Sequence, residues 1–253
     1  MSINKLKTVL ITGASGGIGR AAARKFAESG AAVLLHAHKN IASVSALQQE
    51  IQNNGGEADV LTADFTDQDS AETLVRQVFD RFDHLDILVN AAGLDLMSDA
   101  VKQESFEKKL QLLFQTDCLT PIRLSRLIGK RMSDRQQGTI FFLGWNGVQH
   151  GWQGETAQLY GAAKGALLGF SRSLAETLSP DVRVCCLSLG WIKTAWGKKL
   201  SGEIERRYAS DSLQNRWGTP EDVAETIMFL SGKSSGFVDA IGLPIDGGKR
   251  GSR

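Results

Sequence analysis

The chain has 253 residues, 42% of them hydrophobic and 23% charged, with a formal net charge of +1. That length suits one large α/β domain with a well-buried core rather than two domains. The near-neutral balance excludes a global field toward nucleic acid or a membrane surface. Three cysteines, Cys118, Cys185 and Cys186, form neither a disulfide framework nor a metal-ligand spacing, so no metal is expected.

Along the chain, Met1 to Lys7 carry no apolar signal-peptide core. No apolar run reaches the roughly 20 residues that span a bilayer, so a cytoplasmic protein is expected. Strands are expected at Thr8–Thr12, Ala32–Ala37, Ala58–Ala63, Ile87–Asn90, Thr139–Leu143, Val182–Ser188 and Ile241–Ile245. These runs are rich in Val, Ile and Leu with little alternation, as in strands buried on both faces. Between them lie helical stretches at Ile18–Ser29, Ile41–Asn54, Asp69–Arg81, Gln103 to Met132, Ala157–Leu178 and Pro220–Leu230. Strand–helix repetition predicts a Rossmann-type, doubly wound parallel sheet of seven strands in one domain over residues 1–253. Residues 190–217 have no strand signal and follow a strand end, which makes them a candidate substrate lid.

The first strand runs into Thr12-Gly13-Ala14-Ser15-Gly16-Gly17-Ile18-Gly19. Gly13 permits a tight turn, Gly17 lets backbone approach a pyrophosphate and Gly19 allows close helix–strand packing. The helix that follows offers N–H groups and a positive dipole end to phosphates. About 20 positions on, where a carboxylate would accept from a ribose 2′-hydroxyl, the chain reads His36-Ala37-His38-Lys39-Asn40. With no acid there, and with His38 and Lys39 placed to meet a 2′-phosphate, NADP (NADPH) is favoured over NAD. Downstream, Tyr160 and Lys164 stand four apart, one above the other on a helix face. The ammonium is expected to favour the phenolate and draw the tyrosine into the working range of an acid–base group. Cradle and pair together point to carbonyl–alcohol redox chemistry on a small molecule.

The motifs Thr12-Gly13-x-x-x-Gly17-x-Gly19, Asp64, Asn90-Ala91-Ala92-Gly93, Tyr160-x-x-x-Lys164 and Gly190-x-x-x-Thr194 recur in order. Arg216-x-Gly218-x-Pro220 and Asp246-Gly247-Gly248 follow them. In this combination the chain closely resembles the classical short-chain dehydrogenase/reductase family, members of the 3-oxoacyl-carrier-protein reductase type above all. The resemblance implies that the loop with Gly13, Ser15, Gly17, Ile18 and Gly19 holds the cofactor, and that Asp64 and Phe65 flank its adenine. Asn90, Ala91 and Gly93 would line it, and Ile192 and Thr194 would hold the carboxamide. Tyr160 would donate the proton, with Lys164 on the nicotinamide ribose. A homotetramer is implied as well.

Three departures stand out. The family's serine position, counted from Gly138, falls on Trp145, with Asn146 next to it as another donor. Loss of one preorganised donor costs about 2.7–4 kcal/mol, or about 10²–10³ in rate. Asp117 stands where the family has a helix asparagine of a proton path, and Leu189-Gly190 replaces Pro-Gly. Leu94, Asp95, Trp145, His150, Trp152, Trp191 and Trp196 lie in segments expected around the nicotinamide end, an aromatic surround suited to a flat or apolar substrate. Two readings stay open: a reductase with a reshaped pocket, or a weakly catalytic NADP-binding sensor or oligomer subunit.

Overall fold

Successive residues of a strand point to opposite faces, and here both faces are covered. Val9, Ile11, Val33, Leu35, Phe141 and Leu187 lie in one apolar layer, and Leu10, Leu34, Leu88, Ile140, Phe142 and Val184 in the other. That is why these runs are continuously apolar. The computed structural model describes residues 7–194 and 202–248. Strands β1 (Thr8–Thr12), β2 (Ala32–Ala37), β3 (Glu57–Thr62), β4 (Ile87–Asn90), β5 (Gly138–Trp145), β6 (Val182–Leu189) and β7 (Gly242–Ile245) form one sheet. Its order is β3-β2-β1-β4-β5-β6-β7, with every pair parallel. The order reverses between β1 and β4, and a crevice beyond the carboxyl ends of strands at such a point is where ligands bind.

Helices α1 (Gly17–Glu28), α2 (Ile41–Asn53), α3 (Ser70–Phe79), α4 (Phe106–Phe114) and α5 (Thr120–Asp134) precede β5 or lead to it. After it come α6 (Gly147–His150), α7 (Glu155–Leu178), α8 (Gly202–Ser210) and α9 (Pro220–Leu230). Phe26 of α1, Leu47 of α2 and Ile227 of α9 cover one face; Leu74 of α3, Ile128 of α5 and Leu174 of α7 cover the other. Cys185 and Cys186 fall on opposite faces, and all three cysteines are buried thiols. The start of α9 is fixed by a capping box. The Thr219 hydroxyl accepts from the Asp222 N–H at 3.2 Å and the Asp222 carboxylate from the Thr219 N–H at 2.7 Å. Such a cap stabilises a helix by about 1 kcal/mol, and Pro220 at the first turn loses no hydrogen bond.

Some boundaries differ from the sequence expectation. β5 runs on to Trp145, which pairs in register with Leu189. The stretch from Gln103 to Met132 starts at Phe106, where Ser105 caps, and contains a π-helical turn at Gln115–Leu119. Among the described residues no helix is long and apolar enough to cross a membrane.

Candidate active site

The Thr12 hydroxyl accepts the N–H groups of Ala91 and Ala92, each at 3.1 Å, and so ties the loop after β1 to the loop after β4. Gly13 sits at φ +66°, and a Cβ there would lie 2.6 Å from Ala92 Cα. A Cβ on Gly19 would lie 2.4 Å from the Gly13 carbonyl. α1 begins behind Gly16 with no side-chain cap and no acid in its first turn. Its first N–H groups and its positive dipole end therefore face no competing side chain from the helix itself. Gly17 faces Thr194, whose Cγ2 would be 3.5 Å from a Cβ, so the segment after β6 returns to this loop. There Ile192 bridges to Gly218, and the Lys193 N–H reaches the Gly218 carbonyl at 2.8 Å.

His36 is a functional neighbour the sequence did not single out. Its buried ring stacks on Phe65 at 4.4 Å between centroids. Nδ1 accepts from the Gly13 N–H at 3.4 Å, so Nε2 carries the proton and donates to the Ala63 carbonyl at 3.1 Å. The histidine thus fixes the glycine-rich loop against the end of β3. Burial lowers its pKa from 6.5 to about 4, with the nearby His38 adding to the effect. Between those values the unfolded chain binds a proton that the folded chain does not. Stability therefore falls as pH drops from 6.5 to about 4, by on the order of 3 kcal/mol in all. Urea denaturation across that range checks this: His36→Gln should show a shallower acid slope, and parallel slopes would reject the assignment.

His38 and Lys39 are exposed at the end of β2, and no carboxylate closes that strand. Sequence reasoning missed an acid from elsewhere: His38 Nε2 lies 3.3 Å from the Asp64 carboxylate, which follows β3. Asp64 also accepts the Thr66 N–H and hydroxyl at 2.9 and 2.8 Å. Partial burial opposes its ionisation, but these bonds and the charges of His38 and Lys39 hold it below the usual carboxylate range.

Asn90 is buried and braces the centre of the sheet, its amide donating to Ser125 Oγ at 3.0 Å and to the Phe141 carbonyl at 3.1 Å. Gly93 faces Asp117, whose Oδ2 would be 3.0 Å from a Cβ. Asp117, in the π-helical turn and 2% exposed, accepts the Leu94 N–H at 2.7 Å and the Thr116 hydroxyl at 2.9 Å. Its Oδ2 lies 3.0 Å from Lys164 Nζ. Tyr160, one turn earlier on α7, donates to the Leu94 carbonyl at 2.7 Å.

The expected pull of Lys164 on Tyr160 is not what this arrangement produces. The ammonium is matched by Asp117. Burial foremost, then the charges of Asp117 and Asp95, push the phenol above its ordinary value of 10.

Trp145 closes β5 and lays its indole over Gly147, where a Cβ would be 2.3 Å from the ring. The ring edge is 3.9 Å from a Cβ built on Gly161, the residue after Tyr160. Asn146, the other expected donor, has its bonds on the β6–β7 side. Its N–H bonds the Leu189 carbonyl at 2.9 Å and its amide bonds Asp246 at 3.2 Å, toward β7. There it lines a cleft with Trp152, Trp191, Tyr208, Asp211 and Asp246. Trp191 stacks on Tyr208 at 4.0 Å, with Trp152 edge-on to Trp191 at 5.7 Å. Tyr208, on α8, is a lining residue the sequence did not single out.

Of the other expected pocket residues, Leu94 packs with Tyr160 in a small apolar cluster. The Asp95 side chain accepts the Met97 N–H at 2.9 Å, and His150 is exposed at the end of α6. Trp196 lies outside the described residues.

The family model described as Enoyl-(Acyl carrier protein) reductase matches residues 13–250. The chain is 30% identical over 244 residues to the 3-oxoacyl-[acyl-carrier-protein] reductase of Vibrio cholerae, covering 96% of each chain. In structure it is similar to a doubly substituted Serratia marcescens short-chain dehydrogenase/reductase, with TM-score 0.86 and 26% identity over 95% of this chain and 96% of that one. It is also similar to a singly substituted actinorhodin polyketide ketoreductase with NADPH, with TM-score 0.85 and 26% identity over 98% of both chains.

Proposed function

The chain belongs to the classical short-chain dehydrogenase/reductase family and is an oxidoreductase, and from that premise we propose that it interconverts a small-molecule carbonyl and an alcohol with NADP(H). The observation that carries the reading is a continuous run of contacts from cradle to acid–base pair. Gly13 abuts Ala92, Gly93 abuts Asp117, and Asp117 binds Lys164 one turn from Tyr160.

The residues present fit the cofactor: a loop closed to any Cβ at Gly13 and Gly19, an uncapped α1 N-terminus, and Thr194 returned to Gly17. Lys39 and His38, the latter 3.3 Å from Asp64, stand at the ribose end to meet a 2′-phosphate. Phe65 and Asp64 would flank the adenine, and Ile192 and Thr194 would hold the carboxamide. NADPH, when bound, supplies a hydride. Tyr160 then gives its proton to the substrate oxygen, while Trp145 leaves that oxygen without the family's second hydroxyl donor. The aromatic cleft of Trp152, Trp191 and Tyr208 suits a flat or apolar substrate, and the described part of the expected lid segment, 190–217, supplies Trp191 and Tyr208 to its wall.

The same proposal makes the protein a cytoplasmic homotetramer. Apolar side chains left on the surface, Leu127 at 38%, Phe229 at 59% and Phe237 at 105% relative exposure, support association, and a monomer in sedimentation would reject that part. A second reading, a cofactor-binding protein with little turnover, draws on Trp145 and on the phenol tied to Leu94.

NADPH and NADH binding, followed by their oxidation against ketones and 3-oxoacyl thioesters, separates the two. The proposal expects NADPH to bind tighter than NADH and to be oxidised. NADPH binding without turnover on any member of the panel would favour the second reading. Tighter NADH binding would contradict the roles of His38 and Lys39.

A further inference from the structure

We propose that Asp117 is a positioning residue that holds the Lys164 ammonium off Tyr160 and so keeps the phenol protonated through the neutral and mildly alkaline range. The inference rests on the reading of Tyr160 as the proton donor. In the reduction, with the cofactor supplying a hydride to the carbonyl carbon, the carbonyl π pair would move onto oxygen and take up the Tyr160 proton, forming the alcohol O–H as the Tyr160 O–H breaks and leaves a phenolate. Alcohol oxidation runs the same steps backward and starts from that phenolate. The charge around the phenol therefore sets the pH range in which each direction runs.

The geometry fixes that charge. Asp117 is 2% exposed and three groups hold it: the Leu94 N–H at 2.7 Å, the Thr116 hydroxyl at 2.9 Å and Lys164 Nζ at 3.0 Å. The Leu94 backbone is held at both of its polar groups, the N–H by Asp117 and the carbonyl by the Tyr160 hydroxyl at 2.7 Å. Among the described residues the charges acting on Tyr160 are Asp117 from the π-helical turn and Asp95 from the loop after β4, while Lys164, one turn along α7, lies on Asp117. The Asp117–Lys164 pair acts on the buried Cys118 thiol, Lys164 acts also on that of Cys186, and on α4 Lys109 is engaged by Glu155 at 2.9 Å. Two carboxylates thus oppose one ammonium, and that ammonium is spent on the nearer of them. An asparagine at 117 keeps the shape and an acceptor for the Leu94 N–H, but it frees the full charge of Lys164 to act on the phenol.

The chain has two tyrosines, Tyr160 and Tyr208, so ultraviolet difference titration of tyrosinate resolves Tyr160 once Tyr160→Phe is subtracted. No substrate or cofactor is needed, so the result stands whether or not turnover is found. Asp117→Asn is expected to bring Tyr160 ionisation down by about one pH unit or more, the scale of an unmasked opposite charge. Where turnover is measurable, the alkaline inflection of the pH–rate profile moves down by the same amount. Asp117→Ser, which also removes the charge, serves if circular dichroism shows the asparagine variant misfolded. An unchanged Tyr160 titration in a folded Asp117 variant overturns the proposal. Full activity of Tyr160→Phe would instead sink the assignment of the proton donor and leave the electrostatic arrangement standing.

Discussion

Tyr160→Phe is expected to lower reduction of any accepted carbonyl by about 10²–10⁴-fold, the usual contribution of a positioned proton donor, with NADPH affinity unchanged. The substitution removes one oxygen. The ring stays packed in the apolar cluster with Leu94, Leu96, Leu113 and Ala163. The lost hydroxyl donates to the Leu94 carbonyl. That bond has to be exchanged for one to the substrate oxygen before protonation. A net hydrogen bond is worth about 0.5–1.5 kcal/mol, so the exchange is a small barrier beside the step it permits. Lys164 remains on Asp117 in the variant, and the cradle at Gly13 to Gly19 is untouched. Cofactor titration and steady-state rates on the same preparation separate chemistry from binding. Activity within about threefold of the parent, with binding intact, would remove Tyr160 from its role.

The fold was legible because its physical demands act on short stretches. A central strand with helices on both sides has to be apolar at every position, as Val9 to Ile11 and Ile140 to Phe142 are. The phosphate cradle has to use glycine where no Cβ fits, and Gly13 and Gly19 answer that in the linear sequence. The electrostatics of the site were not legible in this way. Spacing puts Tyr160 and Lys164 on one helical face, but which anion reaches the ammonium is decided by a π-helical turn on another helix. Asp117 was recognisable as a departure, but its effect on the phenol needed its distance and its burial. His38 likewise reads as free beside Lys39 until β3 delivers Asp64 to 3.3 Å. Asn146 turns toward Asp246 because β5 and β7 end side by side around β6. α8 carries a signal within the sequence: Glu203 and Glu205 in its first turn and Arg207 in its last match the polarity of a helix dipole.

Gly13→Ala is expected to abolish measurable NADPH binding and to destabilise the fold by about 2–5 kcal/mol. Two independent costs add. The residue stands at φ +66°, a left-handed conformation that costs a residue with a Cβ roughly 1–2 kcal/mol. The new methyl would also lie 2.6 and 2.7 Å from Ala92 Cα and N and 2.8 Å from the Ala91 carbonyl. These are backbone atoms, pinned by the Thr12 hydroxyl, so no side chain can rotate to make room, and overpacking of this kind costs about 1–3 kcal/mol. Relief has to come from moving the loop after β4 away from β1. That motion pulls Gly93 and Leu94 off Asp117, so cradle and acid–base pair lose their register together. Thermal melts with and without NADPH check both parts: the apo variant melts lower, and NADPH no longer raises its midpoint. A variant that melts with the parent and is still stabilised by NADPH would show that the two loops are not held in the contact on which this account of the site depends.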